Sequence, residues 1–308
     1  MCKQAIIIEK LTKFYPSTDL EKQKTALDEI SLTIQKGKIF GLLGPNGAGK
    51  SSIINILAGT TNKTSGVVKI DSVDIDKQPK LARSLIGIVP QEIVVDSFFT
   101  IRESLEFAAG YYGIKPKDRQ SDKILKILDL YEKKDKLPKE LSGGMKRRFL
   151  VAKAIVHSPK ILILDEPTAG VDVELRSNLW KYIKTLNQKG HTIIITTHYL
   201  AEAEELCDEI AFINHGQILY RDTKEKLLKK FGSKYIDVEF TQKISHNIQG
   251  QHNNAKYSLV EDNKIRFNIS TEDDINDILN IILSLNIKIK DIQVINPNLD
   301  DIFFKIIK

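Results

Sequence analysis

Cysteine is almost missing from this sequence: Cys2 and Cys207 are the only two among 308 residues, with no CxxC pair and no metal-ligand spacing. That argues against a disulfide scaffold or a cysteine-based metal site, and makes a reducing compartment the expectation. Also missing is any run of about 18 uninterrupted apolar residues, the length a helix needs to cross a bilayer. No spanning helix is therefore expected, and any membrane role must be borrowed from a partner. The opening stretch MCKQAIIIEKLTKFYP has too short an apolar run for a secretory leader and carries Glu9 and Lys10 directly behind it. Neither an internal repeat nor a low-complexity tract occurs. Charge of one sign is not in great excess: 46 basic against 40 acidic residues leave +6. Spread along the chain, that excess reads as a solvated lysine-rich surface, and nucleic-acid binding is not expected.

What is present is an ordinary globular balance of 42% hydrophobic and 28% charged residues, in a chain long enough for one large or two unequal domains. Short β-branched runs alternate with helical patterns: AIIIEKL (5–11), SLTI (31–34), KIFGLLG (38–44), GVVKI (66–70), GIVP (87–90), ILILD (161–165), HTIIITTH (191–198) and EIAFIN (209–214). Several are apolar on both faces, as strands between helix layers are. An α/β core with a largely parallel sheet follows, with the strands of 5–34 as an antiparallel appendage. From Thr100 to about Lys136 the period becomes 3.6 with no strand between, which predicts a helical insert. After TKEKLLKKFG (223–232) the pattern changes again. A strand (KYIDVEF), a hairpin turning at Glu261–Lys264, a helix, a strand and a last helix predict a small α+β domain over 233–308. His246 and His252 fall in polar sequence and read as solvated surface.

Phe40 to Gly59, FGLLGPNGAGKSSIINILAG, leaves an apolar strand through a glycine-rich turn and enters a helix. It fits G-x-x-x-x-G-K-[ST] in the setting that pattern requires. Its glycines let successive N–H groups converge on a phosphate, and the helix adds its positive end. Gly44, Asn46, Gly47, Gly49, Lys50, Ser51 and Ser52 are the expected nucleotide contacts. Lys50 supplies charge for the β- and γ-phosphates and Ser51 a hydroxyl for Mg²⁺.

A second apolar strand ends in Asp165-Glu166, within KILILDEPTAGVD. Asp165 suits Mg²⁺, and Glu166 suits a base that polarises the attacking water; taken alone, the pair would read better as a cap for the helix that follows, and the phosphate loop before it reverses that. His198, after TIIITT, falls at a strand end, where an imidazole holds the water, Glu166 or the γ-phosphate in position. Gln91, in GIVPQE, also leaves a strand end, where its amide would touch Mg²⁺ or the water. LSGGMKRR (141–148) opens a helix at Ser142 with three basic residues behind it. That makes either a second anion site or an ordinary N-cap before a solvated basic face.

These stretches occur in the order and spacing of ABC-transporter ATP-binding subunits, which residues 4 to about 230 resemble. LSGGMKRR, LDEPTAGVD and TTHYLAEAE are most similar to the bacterial type-2 export branch, as is the ending NPNLDDIFFKI. The resemblance implies a P-loop NTPase core over 1–95 and 155–230, a helical subdomain over about 96–154, and an ATP-binding domain ending at 232. It also implies a head-to-tail homodimer with two sandwiched ATP molecules. Each would lie between one chain's Lys50 loop and the other's Ser142, Gly143 and Gly144, with Asp172 at the seam. Tyr15, or Phe14 in its place, would stack on adenine, and Gln91 would link the γ-phosphate to the helical subdomain. That subdomain would dock separate transmembrane permease subunits, which puts the protein at the cytoplasmic face of the cell membrane. Met145 replaces the family's usual Gln, and the loop from Tyr15 to Ala26 is long. The rival reading is a soluble mechanical ATPase acting on nucleic acid or ribosomes. Such relatives carry two cassettes, coiled coils or zinc modules, and this sequence has none of these.

Overall fold

The computed structural model describes residues 3–16, 24–95, 98–168, 173–232, 234–244, 249–252, 255–269, 275–284 and 287–307. They form two compact units, one built mainly from 1–224 and the other from 225–306.

In the first unit the chain runs β1 (Gln4–Tyr15), β2 (Lys24–Gln35), β3 (Ile39–Leu43), α1 (Lys50–Ala58), β4 (Ser65–Ile70), β5 (Val73–Asp74), α2 (Pro79–Ser84) and β6 (Ile86–Val89). Then come α3 (Ile101–Tyr111), α4 (Ser121–Ile127), α5 (Gly143–Ile155), β7 (Ile161–Asp165), α6 (Val173–Gln188), β8 (Thr192–Thr197), α7 (Leu200–Leu206), β9 (Glu209–Asn214) and β10 (Gln217–Thr223). The second unit follows with α8 (Lys224–Phe231), β11 (Lys234–Phe240), β12 (Gln249–His252), β13 (Ala255–Glu261), β14 (Lys264–Ile269), α9 (Ile275–Ser284), β15 (Ile289–Ile295) and α10 (Leu299–Ile307).

Two sheets build the first unit. One is antiparallel in the order β2-β1-β4-β5, the appendage expected from the early strands; the other runs β10-β9-β3-β8-β7-β6. In the second sheet β3 pairs in parallel with β8 and β9, β7 with β8, and β6 with β7. The C-terminal ends of β3, β8, β7 and β6 thus share one edge, and this places the site. All five residues of β3 and all six of β8 are buried, as their continuous apolar runs require. A shared core joins Ile6 and Ile8 of the antiparallel sheet, Ile53 and Ile56 of α1, and Phe40 and Ile163 of the parallel sheet.

The helical insert is shorter-stepped than its periodicity predicts. Thr100 and Glu103 form a reciprocal capping box at the start of α3. The second helix stops at Ile127, because Asp129 adopts a left-handed φ of 53° and a short 3₁₀ turn at Tyr131–Lys133 follows.

Three strands, β5, β10 and β12, lack an apolar run long enough to announce them. β10 is joined to β9 through His215 and Gly216, with φ of 46° and 75°, the tight turn whose twist suits a hairpin. β12, the polar stretch QGQH, pairs with β13. His252 therefore lies in a strand rather than a loop, and His246 lies outside the described residues. In the second unit the order is β12-β13-β14-β11-β15. Its apolar face, Val238, Phe240, Ile265 and Phe267, packs on Ile278 and Ile282 of α9.

Candidate active site

The turn between β3 and α1 is shaped by close approach. At Gly44 a Cβ would lie 2.2 Å from the Ile213 carbonyl oxygen, and at Gly49, with φ +113°, one would lie 2.7 Å from that of Ala26. Neither backbone neighbour can swing aside, so only glycine fits at these two positions. Gly49 is the N-cap of α1 and offers no side chain to its amides, so the helix start presents free N–H groups and its positive end. No acidic residue stands in that first turn. Lys50 is buried, and its ammonium donates to the carbonyls of Gly44 at 2.6 Å and Pro45 at 3.1 Å. Burial lowers its pKa, while the charges of Glu166 and Asp165 pull the other way.

A cleft of about 420 Å³ opens over this turn. Asn46, Gly47, Gly49, Lys50, Ser51 and Ser52 line it, with Tyr15, Gln91 and Glu166 closing the other sides. Tyr15 stands at the end of β1, opposite Lys24 of β2, and the Lys13 ammonium sits 4.7 Å from the centre of its ring. Phe14 is not part of the lining.

Glu166 is the hub of the far wall. It is buried, its Oε2 accepts from Gln91 Nε2 at 3.0 Å, and its Oε1 lies 3.0 Å from His198 Nδ1. Its backbone is left-handed, with φ 46°, a conformation that costs a side-chain-bearing residue about 1–2 kcal/mol. The surroundings hold it there: its N–H donates to the Thr196 carbonyl at 2.9 Å, and its own carbonyl accepts from Arg147 Nη2 at 2.7 Å. Asp165, the preceding residue, accepts from the Thr196 hydroxyl. Burial raises its pKa against the opposing pull of Lys50 and Arg147.

The residue that sequence reasoning missed is Arg147. It comes from α5 and is buried, and among the described residues its guanidinium donates only to backbone carbonyls: Nε to Pro167 (2.8 Å), Nη1 to Pro90 (2.5 Å) and Gln91 (3.2 Å), Nη2 to Asp165 (2.9 Å) and Glu166 (2.7 Å). A signal was there. Leu150, Val151 and Ala154 follow at i+3, i+4 and i+7 and are buried with it, so this arginine sits on the inward stripe of its helix. The solvated basic face that is one reading of LSGGMKRR is corrected at Arg147, which is buried. Arg147 points inward, and Arg148 is held by the Leu128 carbonyl and the Asp129 carboxylate.

Ser142 caps α5, its hydroxyl accepting from the Met145 amide at 3.3 Å. Ser142 and Gly143 are exposed, and Ser142, Gly143 and Gly144 stand outside the lining of the cleft over Lys50. Asp172 lies outside the described residues. Oxygen donors for a hard cation are present in Ser51, Asp165 and the Gln91 amide. Among the described residues no group of three or more His, Cys, Asp or Glu side chains forms a dedicated metal cage. One or two protein oxygens completed by phosphates is the pattern magnesium takes.

The family model for ABC transporters matches residues 27–169. A Nod factor export ATP-binding protein I from Rhizobium meliloti is 37% identical over 237 residues, 76% of this chain and 69% of that protein. A linearmycin resistance ATP-binding protein from Bacillus subtilis is 40% identical over 217 residues, 70% of each chain. Among solved structures, a dimeric ATP-binding cassette in a post-hydrolysis state with ADP and Pi superposes with a TM-score of 0.64 at 26% identity. That match covers 71% of this chain and 98% of the other.

Proposed function

The chain belongs to the ABC transporter family of ATP-binding proteins, and from that membership we propose that it is the motor of an export complex, driven by ATP hydrolysis at the cleft over Lys50. Its fold is the P-loop ATPase cassette, and its activity is that of an ATPase. The observation that carries the assignment of residues is the Glu166 carboxylate, bracketed by Gln91 and His198 on the wall facing the phosphate loop.

In this reading the amides of the β3–α1 turn and Lys50 hold the β- and γ-phosphates. Tyr15 stacks on adenine, and Ser51, Asp165 and the Gln91 oxygen would hold Mg²⁺, which would supply charge to offset that of the phosphates. Glu166 accepts a hydrogen bond from the attacking water and orients it toward the γ-phosphorus. As the new P–O bond forms, the bond to the β–γ bridging oxygen breaks and its electron pair leaves with ADP. The water's proton ends on the phosphate product. His198 fixes the Glu166 carboxylate from one side and Gln91 from the other.

The Ser142-Gly143-Gly144 turn, exposed at its first two residues, faces the nucleotide of a second copy in a head-to-tail dimer, with Asp172 at the seam. Relatives named for Nod factor export and linearmycin resistance support export as the direction of transport. They do not favour a soluble ATPase working on nucleic acid or ribosomes. No helix among the described residues is long and apolar enough to cross a membrane. In this reading, which rests on the family membership, separate permease subunits carry the substrate path and the chain works at the cytoplasmic face of the membrane.

The helical insert and the segment leading into it offer the permease an apolar surface: Val94, Phe98, Phe107 and Tyr111 are all exposed, Phe98 by 86% and Tyr111 by 89%. Tagged protein purified from gently solubilised membranes should bring a polytopic membrane protein with it. Phe98→Ser with Tyr111→Ser should release that partner by tenfold or more while ATP binding persists. Recovery only from the soluble fraction, with ribosomes or DNA, would refute the transporter reading and leave the nucleotide site standing.

A further inference from the structure

Arg147 has five guanidinium N–H groups, and five backbone carbonyls receive them, from Pro90, Gln91, Asp165, Glu166 and Pro167. Its hydrogen-bonding capacity is used up on two loops: the one that leaves β6 and carries Gln91, and the one that leaves β7 and carries Glu166. Its own Cα belongs to α5, the helix that Ser142 caps. One side chain thus ties three segments that meet at the candidate site, and none of its bonds goes to a carboxylate. A buried cation is costly to keep, and the nearby carboxylates of Asp165, Glu202 and Glu166 act on it only through space, against the effect of its burial. A neutral side chain would pack the same stripe of α5 more cheaply, so the guanidinium answers a need for geometry. Only a planar fork with five donors reaches so many carbonyls at once, and lysine offers three donors from a single point. The need is visible at Glu166. Its left-handed backbone is clamped through its N–H by Thr196 and through its carbonyl by Arg147.

We propose that Arg147 is a positioning residue for ATP hydrolysis, holding the Glu166 and Gln91 turns in register with the first turn of α5. Resting on the assignment of Glu166 made above, this adds a control within one chain. The carboxylate that orients water is in place only while that chain's own Ser142 helix is seated against its sheet. A tilt of α5 carries Arg147 with it, frees the Glu166 carbonyl and lets the left-handed turn relax. Hydrolysis should then fail at a step after nucleotide binding, because none of the five carbonyls belongs to the phosphate turn.

The test uses the full chain with Mg-ATP and the substitutions Arg147→Lys and Arg147→Gln. It reads equilibrium ATP binding, single-turnover phosphate release and the thermal midpoint, each with and without Glu166→Gln. Arg147→Lys should leave the ATP Kd within about threefold and slow single-turnover hydrolysis at least ~30-fold. In the Glu166→Gln background it should change the residual rate less than about twofold, because both substitutions remove one function. A structural role alone predicts a lower thermal midpoint and weaker binding in step, with the rate loss adding in full to that of Glu166→Gln. That result overturns the proposal, as does Arg147→Lys turning over at the wild-type rate beside an inactive Glu166→Gln chain. A Glu166→Gln chain as active as wild type would instead overturn the site assignment and this proposal with it. Should Arg147→Gln not fold, Arg147→Lys carries the test, since it keeps the charge and most of the volume. Misfolding of both would assign Arg147 to folding and overturn the proposal.

Discussion

Glu166 is held at six points counting both of its peptide groups, its two carboxylate oxygens and the neighbours on either side, yet its φ of 46° is one that a glutamate left to itself avoids. Strain of about 1–2 kcal/mol survives only where the surroundings over-determine the conformation. Here Thr196, Arg147, Gln91 and His198 do so. In the proposed site this fixes the carboxylate before water arrives, so replacing its charge should leave binding intact and remove turnover. Glu166→Gln should bind ATP with a Kd within about threefold of wild type and lose at least ~10²-fold in rate. It should also sediment as a dimer with ATP and not with ADP. A variant that stays monomeric with ATP, seen by analytical ultracentrifugation, would rule out pairing by this chain alone. At this scale the sequence was readable where chemistry is local. Lys50 and Ser51 follow a glycine turn, Asp165 and Glu166 end an apolar strand, and His198 follows another. Arg147 escaped because its partners are carbonyls, which every residue has, on loops about 20 and about 57 residues away. No residue type marks a carbonyl acceptor.

Elements were readable in proportion to their apolar content. β3, β7 and β8 are buried from end to end or nearly so, and their β-branched runs announced them. β10 and β12 hang on pairing rather than burial. The first needed the His215-Gly216 turn and the second the register with β13, and a polar strand carries no period strong enough to stand alone. The second unit makes its own prediction. Asp237 in β11 is buried on the sheet face opposite α9, with Arg266 bonded to it through both carboxylate oxygens (2.7 and 2.8 Å) and Lys264 at 3.3 Å. The Arg266 guanidinium, with Lys264 beside it, holds the Asp237 carboxyl below the usual carboxylate range against the effect of burial. A folded-state pKa depressed in this way contributes stability above the ordinary value of about 3.9, and that stability is lost as pH falls through the folded value. Corrected for the intrinsic slowing of exchange in acid, the protection of the β11 and β14 amides should therefore fall below about pH 4. Asp237→Asn should exchange faster at neutral pH, by about 1–3 kcal/mol of opening free energy, and show a flatter pH dependence. Identical acid profiles for the two proteins would remove Asp237 from the account.

At the scale of the whole molecule, the Lys50 turn lines one cleft while the Ser142 turn is exposed outside it, so a complete nucleotide site in the proposed dimer draws on two chains. Lys50→Ala and Ser142→Ala each spoil both sites of their own homodimer. A mixed dimer keeps one intact site, built from the Lys50 of one chain and the Ser142 of the other. Random pairing at equal ratio should then restore up to about a quarter of wild-type sites, read as ATPase activity against mixing ratio. No recovery at any ratio would mean that each chain works alone.

The order of the parallel sheet also sets a timetable. Both neighbours of β3, the strand that feeds the phosphate turn, come late: Ile39 pairs with Ile193 and Phe40 with Glu209. A ribosome that has just made β3 needs roughly 8–30 s to finish β8, at about 5–20 residues per second over about 150 residues. Through that interval the strand IFGLL, apolar on both faces, has none of its final hydrogen-bonding partners. The newborn chain thus spends its longest wait with a fully apolar strand uncovered, which is the moment a chaperone's grip or a crowded polysome bears on its yield.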